Sequence, residues 1–267
     1  MKYLFDEWDS IVGRLGGAHL LLMLDFDGTL APIAPTPEEA ALPAETRALL
    51  ARLASGERCT VAVVSGREIG DLKRKVELAG IVYVGNHGLE VDGADTPAEC
   101  AVPPDGRETI ERLVESLGSK LERIPGILIE DKGSAVAVHY RLAGADYAPS
   151  VETAVREAVL ECDAENVVAV SRGKRVVELR PRTDCDKGKV VSSLFARERR
   201  RRDGEAVVPL YVGDDITDED AFESLAEDGI TVYVGKPGCS RARYYVRSAG
   251  EVAKLLERLV ERCGKAR

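Results

Sequence analysis

Apolar and polar positions along this chain follow two different rhythms, and the change from one to the other divides it. Near the amino terminus Leu4, Trp8, Ile11, Val12 and Leu15 recur at helical spacing over residues 3–16, and an unbroken apolar run, Leu20 to Leu24, follows. A run without alternation marks a strand buried on both faces, as in parallel sheets covered by helices. The pattern predicts a strand over 19–25, a loop through the proline-rich APIAPTPEEAALP, a helix over Thr46 to Leu53 and a second buried strand over Cys59 to Val64. A polar helix over 68–77 and a strand over Ile81 to Val84 follow. Strands alternating with helices predict a parallel sheet with right-handed crossovers.

Near residue 100 the rhythm changes. Val102-Pro103-Pro104-Asp105-Gly106 reads as a linker. A helix with Ile110, Leu113, Val114, Leu117 and Leu121 on one face then precedes two strand-like runs, Ile127 to Glu130 and Ala135 to Tyr140. A second helix, with Val151, Ala154, Val155, Ala158 and Val159 on one face, precedes Val167 to Ser171 and Arg175 to Arg180. A helix and two strands, repeated once, predict helices on one face of an antiparallel sheet. The alternating rhythm resumes with a helix over Lys187 to Phe195, strands over Val207 to Val212, Ile230 to Val234 and Tyr244 to Val246, and an amphipathic helix carrying Val252, Leu255, Leu256, Leu259 and Val260. The expected fold class is α/β: a Rossmann-like parallel-sheet core, residues 1–102 and 185–267, interrupted by a smaller α+β domain, residues 103–184, that sits over it as a cap.

A length of 267 residues allows one large domain and a smaller one. The net charge of -9 argues against nucleic acid as the partner. No window approaches the ~20 apolar residues of a membrane span, and MKYLFDEWDS is too acidic for a signal peptide. The expectation is a cytoplasmic protein with neither nucleic-acid nor membrane partners. Six scattered cysteines with no CxxC pair predict reduced, structural thiols rather than a disulfide frame or a zinc site.

Candidate chemistry collects at the ends of the buried strands of the interrupted domain. The clusters are Asp25-Phe26-Asp27-Gly28-Thr29, Ser65-Gly66-Arg67, Lys187-Gly188, and Gly213-Asp214-Asp215 through Thr217-Asp218-Glu219. A single strand-terminal Asp reads equally well as a helix cap. Together the clusters supply carboxylates for a hard metal, a hydroxyl, a lysine and a base, which is what phosphoryl transfer requires. Sharper-looking motifs fail. Lys187-Gly188-Lys189-Val190 lacks the hydroxyl residue and the upstream glycine of a P-loop, and Ile216 interrupts any calcium-binding loop at 214–219. The basic run Arg197-Glu198-Arg199-Arg200-Arg201-Arg202 suits a helix carboxyl terminus.

In order and spacing, the four clusters resemble the motifs of the haloacid dehalogenase (HAD) superfamily of phosphotransferases, and an insert between the second and third resembles that superfamily's type C2 cap. GNHGLE at 85–90, EDKGSAVAVHYR at 130–141, GKRVVELRP at 173–181 and GDDITDEDAF at 213–222 resemble trehalose-6-phosphate phosphatases. The resemblance implies Mg²⁺-dependent hydrolysis of trehalose 6-phosphate to trehalose and phosphate through an aspartyl-phosphate. It implies Asp25 as nucleophile and metal ligand, the Asp27 carbonyl and Asp214 as further ligands, and the Asp27 carboxyl as general acid and base. Lys187 with Ser65 and Gly66 would hold the phosphoryl group, and Asp215 and Asp218 would orient metal-bound water and Lys187. Thr29 is equally well read as a turn residue, and His19 as structural.

Sugar recognition falls to the insert. Glu130, Lys132, His139, Arg141, Lys174, Glu178 and Arg180 lie on or beside strand-like runs, where they either bind hydroxyls or solvate an outer face. The resemblance favours Glu130, Lys132, Lys174 and Glu178. Arg67, Asn86 and His87, on core loops, are further substrate candidates. The alternatives are a phosphatase for sucrose 6-phosphate or mannosyl-glycerate phosphate, and a non-catalytic sugar-phosphate sensor or subunit of a trehalose-synthesis complex. Phe26 and Ile216 depart from the tyrosine and arginine common in those phosphatases. The chain carries no glycosyltransferase pattern, so a trehalose-6-phosphate synthase is the expected functional partner.

Overall fold

The unbroken apolar run becomes a strand buried at all six positions, His19–Leu24, and the rest of its unit is built outward from it. The computed structural model describes residues 1–93, 104–173, 175–182 and 185–263. The chain divides into two compact units, Met1–Glu99 with Cys185–Arg267, and Cys100–Asp184.

The first unit runs β1 (Lys2–Tyr3), a 3-10 turn, α1 (Trp8–Leu15), β2 (His19–Leu24), α2 (Ala44–Ala54), β3 (Cys59–Val64), α3 (Ile69–Val76), β4 (Val82–Gly85) and β5 (Glu90–Asp92). The second is α4 (Pro104–Leu121), β6 (Leu128–Asp131), β7 (Val136–His139), α5 (Ala148–Glu161), β8 (Val168–Gly173) and β9 (Val176–Pro181). The first then continues with α6 (Lys187–Arg201), β10 (Val207–Gly213), α7 (Glu219–Ser224), β11 (Ile230–Val234), β12 (Tyr244–Val246) and α8 (Ala249–Cys263).

The eight strands of the first unit are ordered β1-β12-β11-β10-β2-β3-β4-β5, parallel except for β5, which runs antiparallel to β4. Leu24 pairs with Val212 on one side and Val63 on the other, so β2, β10 and β3 end level. The residues just beyond them therefore emerge at one edge, the carboxyl edge where open parallel sheets bind ligands. Leu22, Leu24, Val61, Val63, Leu210 and Val212 form one face of a continuous core with Leu49, Leu53, Leu255 and Leu259 from the helices.

Three expectations are corrected, and two short edge strands are added. The first helix splits into a 3-10 turn, Leu4–Glu7, and α1. The two- and three-residue strands β1 and β5 carry too few residues for a periodic signal. The last three residues of the expected linker open α4, whose first turn tolerates Pro104 because an N–H there has no helical partner. Cys185 is disulfide-bonded, against the expectation of reduced thiols, while Cys59, Cys162, Cys239 and Cys263 are free.

In the second unit the strands are ordered β6-β7-β9-β8, all antiparallel. Val136, Val138, Val168, Val177 and Leu179 pack on one face against Ile110, Leu113 and Leu117 of α4 and Val151, Val155 and Ala158 of α5. Among the described residues no helix is long and apolar enough to cross a membrane.

The helix α6 runs six residues past the expected end at Phe195, with Arg199, Arg200 and Arg201 in its last turn, where cations oppose the helix dipole. It carries Lys187 as its first residue, and the Asp186 side chain caps it by accepting from the Lys189 amide at 2.7 Å. Near its other end the buried Glu198 accepts from Thr60 at 3.0 Å, Arg201 at 2.7 Å and Arg202 at 3.1 Å, and faces His19 Nε2 at 3.1 Å. This network ties the end of α6 to the starts of β2 and β3. Burial alone would raise the Glu198 carboxyl, but hydrogen bonds from His19, Arg201, Arg202 and Thr60 outweigh it and hold the carboxyl well below the usual range. A group depressed on folding contributes stability above its unfolded value, and that contribution is lost as pH falls. Glu198→Gln should therefore lose roughly 2 kcal/mol in urea unfolding at pH 7. Its deficit against the parent should narrow as pH falls below 4.5, and a deficit constant down to acid pH would show the network is not ionic.

Candidate active site

Asp25 is the first residue beyond β2, and its backbone N–H still bonds the Val212 carbonyl of β10 at 2.9 Å. Its carboxylate is buried, and Lys187 Nζ donates to Asp25 Oδ1 at 2.8 Å and to Asp218 Oδ1 at 2.7 Å. One oxygen each from Asp25, Asp214 and Asp218 lies within 4.8 Å of the others. Burial pushes the Asp25 carboxyl well above its ordinary value, with Lys187 opposing and Asp218 and Asp214 adding to the rise. Burial works to lower Lys187, but Asp218 and Asp25 outweigh it, so the ammonium is held well above its ordinary value. Three carboxylates around one ammonium leave negative charge and hard oxygen donors to spare, a set suited to a divalent cation such as Mg²⁺.

Asp218 has no lone pair to offer that cation. Its Oδ2 accepts from the Asp214 and Asp215 amides, both at 2.9 Å, while Oδ1 accepts from Lys187 and from the Tyr211 hydroxyl, both at 2.7 Å. Four donors fill an ionised carboxylate, which leaves Asp25 and Asp214 as the available carboxylate ligands. Asp214 is steered by the buried Thr29, whose hydroxyl donates to Asp214 Oδ1 at 3.4 Å. Gly28, at φ +88°, passes so close to Asp214 that a Cβ there would collide with its carboxylate. The turn is closed by Gly28 N–H to the Ala31 carbonyl at 2.8 Å, and Asp27 stands within it.

The Asp27 carboxylate points to Arg67, whose Nε and one terminal nitrogen donate to its two oxygens at 2.6 and 2.7 Å. The same guanidinium donates to Asp71 at 2.7 Å and the Pro37 carbonyl at 3.0 Å and lies over the Phe26 ring at 5.4 Å. Arg67 is buried, and these contacts engage four of its five side-chain N–H groups. Ser65 is buried just beyond β3, and its Oγ accepts from the Arg67 amide at 3.2 Å. Asn86 and His87, both with left-handed φ of 47° and 55°, clamp that turn: the Asn86 amide donates to the Arg67 carbonyl at 2.8 Å and the His87 amide to the Ser65 carbonyl at 3.0 Å. The His87 ring lies where a Cβ on Gly66 would be, which explains glycine at that position. Asp215 accepts from the Asp218 amide in a reciprocal capping box, and Ile216 is 70% exposed.

In the second unit, register places Glu130, Ala137, Glu178 and Ser171 in one row across the sheet. His139 and Arg180 share that face, which is opposite the one packed on the helices. His139 Nε2 lies 2.8 Å from Glu130 Oε2, and Lys132 Nζ donates to Glu178 Oε1 at 2.7 Å. Arg141 follows β7 in the next turn. Lys174 lies outside the described residues. Ser171 joins the row through the alternation of β8, and Tyr211 is a phenol in the apolar run of β10; both are additions to the candidates named from sequence.

A model of the trehalose-phosphatase family matches residues 23–249. A trehalose-phosphate phosphatase of Mycobacterium avium is 36% identical over 98% of this chain and 68% of its own length. That of Mycobacterium tuberculosis is 35% identical over 92% of this chain and 62% of its own. The chain thus spans about two thirds of the length of these relatives. Among solved structures, a trehalose-6-phosphate phosphatase related protein superimposes with a TM-score of 0.71 at 28% identity, covering 90% of this chain and 97% of that one. The C-terminal domain of the Candida albicans trehalose-6-phosphate phosphatase shares the fold at a TM-score of 0.81 and 24% identity, covering 95% and 96%.

Because Gly28 packs on the Asp214 carboxylate, Gly28→Ala should displace it and weaken Mg²⁺ binding in calorimetric titration by at least about tenfold, with far-UV circular dichroism unchanged. Unaltered Mg²⁺ affinity would remove Asp214 from the ligand set.

Proposed function

The chain belongs to the trehalose-phosphatase family, and from that membership and the geometry at the end of β2 we propose that it hydrolyses trehalose 6-phosphate to trehalose and inorganic phosphate with Mg²⁺. The observation that carries this reading is the buried Lys187 held between Asp25 and Asp218, with Asp214 alongside. Asp25 and Asp214, with the Asp27 carbonyl, would hold the ion, which supplies the positive charge that lets a carboxylate approach a phosphate ester.

Asp25 attacks phosphorus as the bond to the sugar oxygen breaks, giving an aspartyl-phosphate and splitting one hard displacement into two. The Asp27 carboxyl protonates the departing oxygen and then takes a proton from the water that cleaves the intermediate. Each oxygen of Asp27 accepts one bond from Arg67, and the lone pairs these bonds leave are the ones that exchange the proton. Lys187 and the Ser65 hydroxyl offset the charge on the phosphoryl oxygens, and Gly66 lets the turn pass close to them.

Recognition of the sugar is assigned to the polar face of the second unit's sheet. Polyol hydroxyls both donate and accept, and Glu130, Glu178, Lys132 and Arg180 offer both kinds of partner there. The pairs Glu130–His139 and Lys132–Glu178 hold these side chains in set rotamers, which lowers the entropy lost on binding. A trehalose-6-phosphate synthase would supply the substrate.

Phosphate release from a panel of sugar phosphates, with and without Mg²⁺, tests the reading. Turnover of trehalose 6-phosphate should need Mg²⁺ and exceed that of glucose 6-phosphate by at least about tenfold, and equal rates would overturn the substrate assignment. Preference for sucrose 6-phosphate would support the alternative substrate, and no turnover of any ester would support a sensor. Glu178→Ala should lower kcat/KM for trehalose 6-phosphate by about 10–100-fold, the loss of a charged hydrogen bond or two. It should leave p-nitrophenyl phosphate nearly unchanged, whereas equal loss on both would make Glu178 structural.

A further inference from the structure

Tyr211 lies in mid-sheet on β10, fully buried, paired in register with Met23 and Thr231. Its ring meets Phe222 edge-on, with centroids 5.8 Å apart and planes at 78°. A buried hydroxyl is costly unless bonded, and phenylalanine would fill the same space without that demand. The hydroxyl donates to Asp218 Oδ1 at 2.7 Å, the same oxygen that takes Lys187 Nζ at 2.7 Å. Burial, reinforced by Asp218, holds the phenol well above its ordinary value, so it donates throughout the neutral range.

We propose that Tyr211 is a positioning residue for phosphoryl transfer: by sharing Asp218 Oδ1 with Lys187, its hydroxyl fixes the ammonium between Asp218 and Asp25 and weakens the hold of Asp218 on it. This rests on the proposed phosphatase chemistry. Lys187 has to direct its charge to a phosphoryl oxygen as charge develops there, and Asp218 competes for that charge. The Asp218 Oδ2 is anchored by two backbone amides, so the carboxylate has one free degree of adjustment, the environment of Oδ1. A phenol donor there draws negative charge from the oxygen and fixes its position. Without it Oδ1 keeps one strong donor, Lys187, and draws the ammonium away from the Asp25 side. The loss then falls on the transition state, where Lys187 is needed most, and spares the binding of the sugar.

The test is Tyr211→Phe in the full chain with Mg²⁺, assayed on both trehalose 6-phosphate and p-nitrophenyl phosphate, with orthovanadate as a probe of the phosphoryl site. The expected result is a fall in kcat of about tenfold on both substrates, the weight of one charged hydrogen bond, with KM within about twofold. The Ki for orthovanadate should rise by a similar factor. Tyr83→Phe is the control: Tyr83 is a buried phenol on β4 that donates to the Leu78 carbonyl at 2.7 Å, remote from the phosphoryl chemistry. It should lower Tm with kcat unchanged. Tyr211→Phe with parental kcat and vanadate Ki would overturn the inference, whatever its Tm. A parent enzyme active on p-nitrophenyl phosphate alone would overturn the trehalose 6-phosphate assignment while leaving the Tyr211 comparison intact. A parent inactive on both would overturn the two together.

Discussion

A lysine ammonium buried between two aspartates is the constraint from which the rest of the first unit follows. An isolated ammonium without water is so costly that Lys187 remains charged only because Asp25 and Asp218 lie 2.8 and 2.7 Å away. Asp25 lies just beyond β2, Asp218 in the 3-10 turn that follows β10, and the lysine on a helix 162 residues on from Asp25, so three segments have to meet within hydrogen-bond tolerance. The level ends of β2 and β10 set two corners. The third depends on α6, capped by Asp186 at the end that carries Lys187 and tied through Glu198 to the starts of β2 and β3 at the other. A helix held at both ends presents its first residue with little freedom, and phosphoryl transfer relies on that kind of positioning.

Close approach explains the glycines around this centre. Gly28 faces the Asp214 carboxylate, and a Cβ on Gly213 would collide with the Asp218 carboxylate. In both places the carboxylate stands where a Cβ would be, packed directly against main chain. The left-handed pair Asn86 and His87 has the same effect by another means. Non-glycine residues in that region cost energy, and here the cost accompanies backbone bonds that hold the Ser65–Arg67 turn in place. Preorganisation of this site is thus written largely in its backbone.

That distribution explains what the sequence conveyed and what it withheld. The buried strands were legible because an apolar run needs no partner to be recognised, and Asp25, Ser65, Lys187 and Asp214 stand out as candidates because each stands just past such a run or opens a helix. The edge strands β1 and β5 were not, since two or three residues carry no period and exist as strands only through their neighbours. Arg67 stands out in the sequence only by its place on a core loop. Its engagement with Asp27 and Asp71 depends on where the chain returns, which local pattern does not encode. Tyr211 is hidden for a similar reason: in a strand, tyrosine reads as one more core residue, and only the fold brings its hydroxyl to Asp218.

The chemistry proposed for the two units differs in kind. A phosphoryl group is small, highly charged and the same in every phosphate ester, so the groups that act on it are buried, charged and rigidly held, as Lys187 and Asp218 are. A sugar is large, neutral and distinguished by the placement of hydroxyls, and its recognition needs donors and acceptors spread over an area. The row Glu130, Ala137, Glu178 and Ser171, flanked by His139, is such an area, since side chains on one face of an antiparallel sheet stand about 5 Å apart between strands. Lys132 and Glu178 already neutralise each other, so a neutral sugar can bond to the pair without leaving a buried charge uncompensated. The same pair would gain little from a second phosphate, because Glu178 would repel what Lys132 attracts.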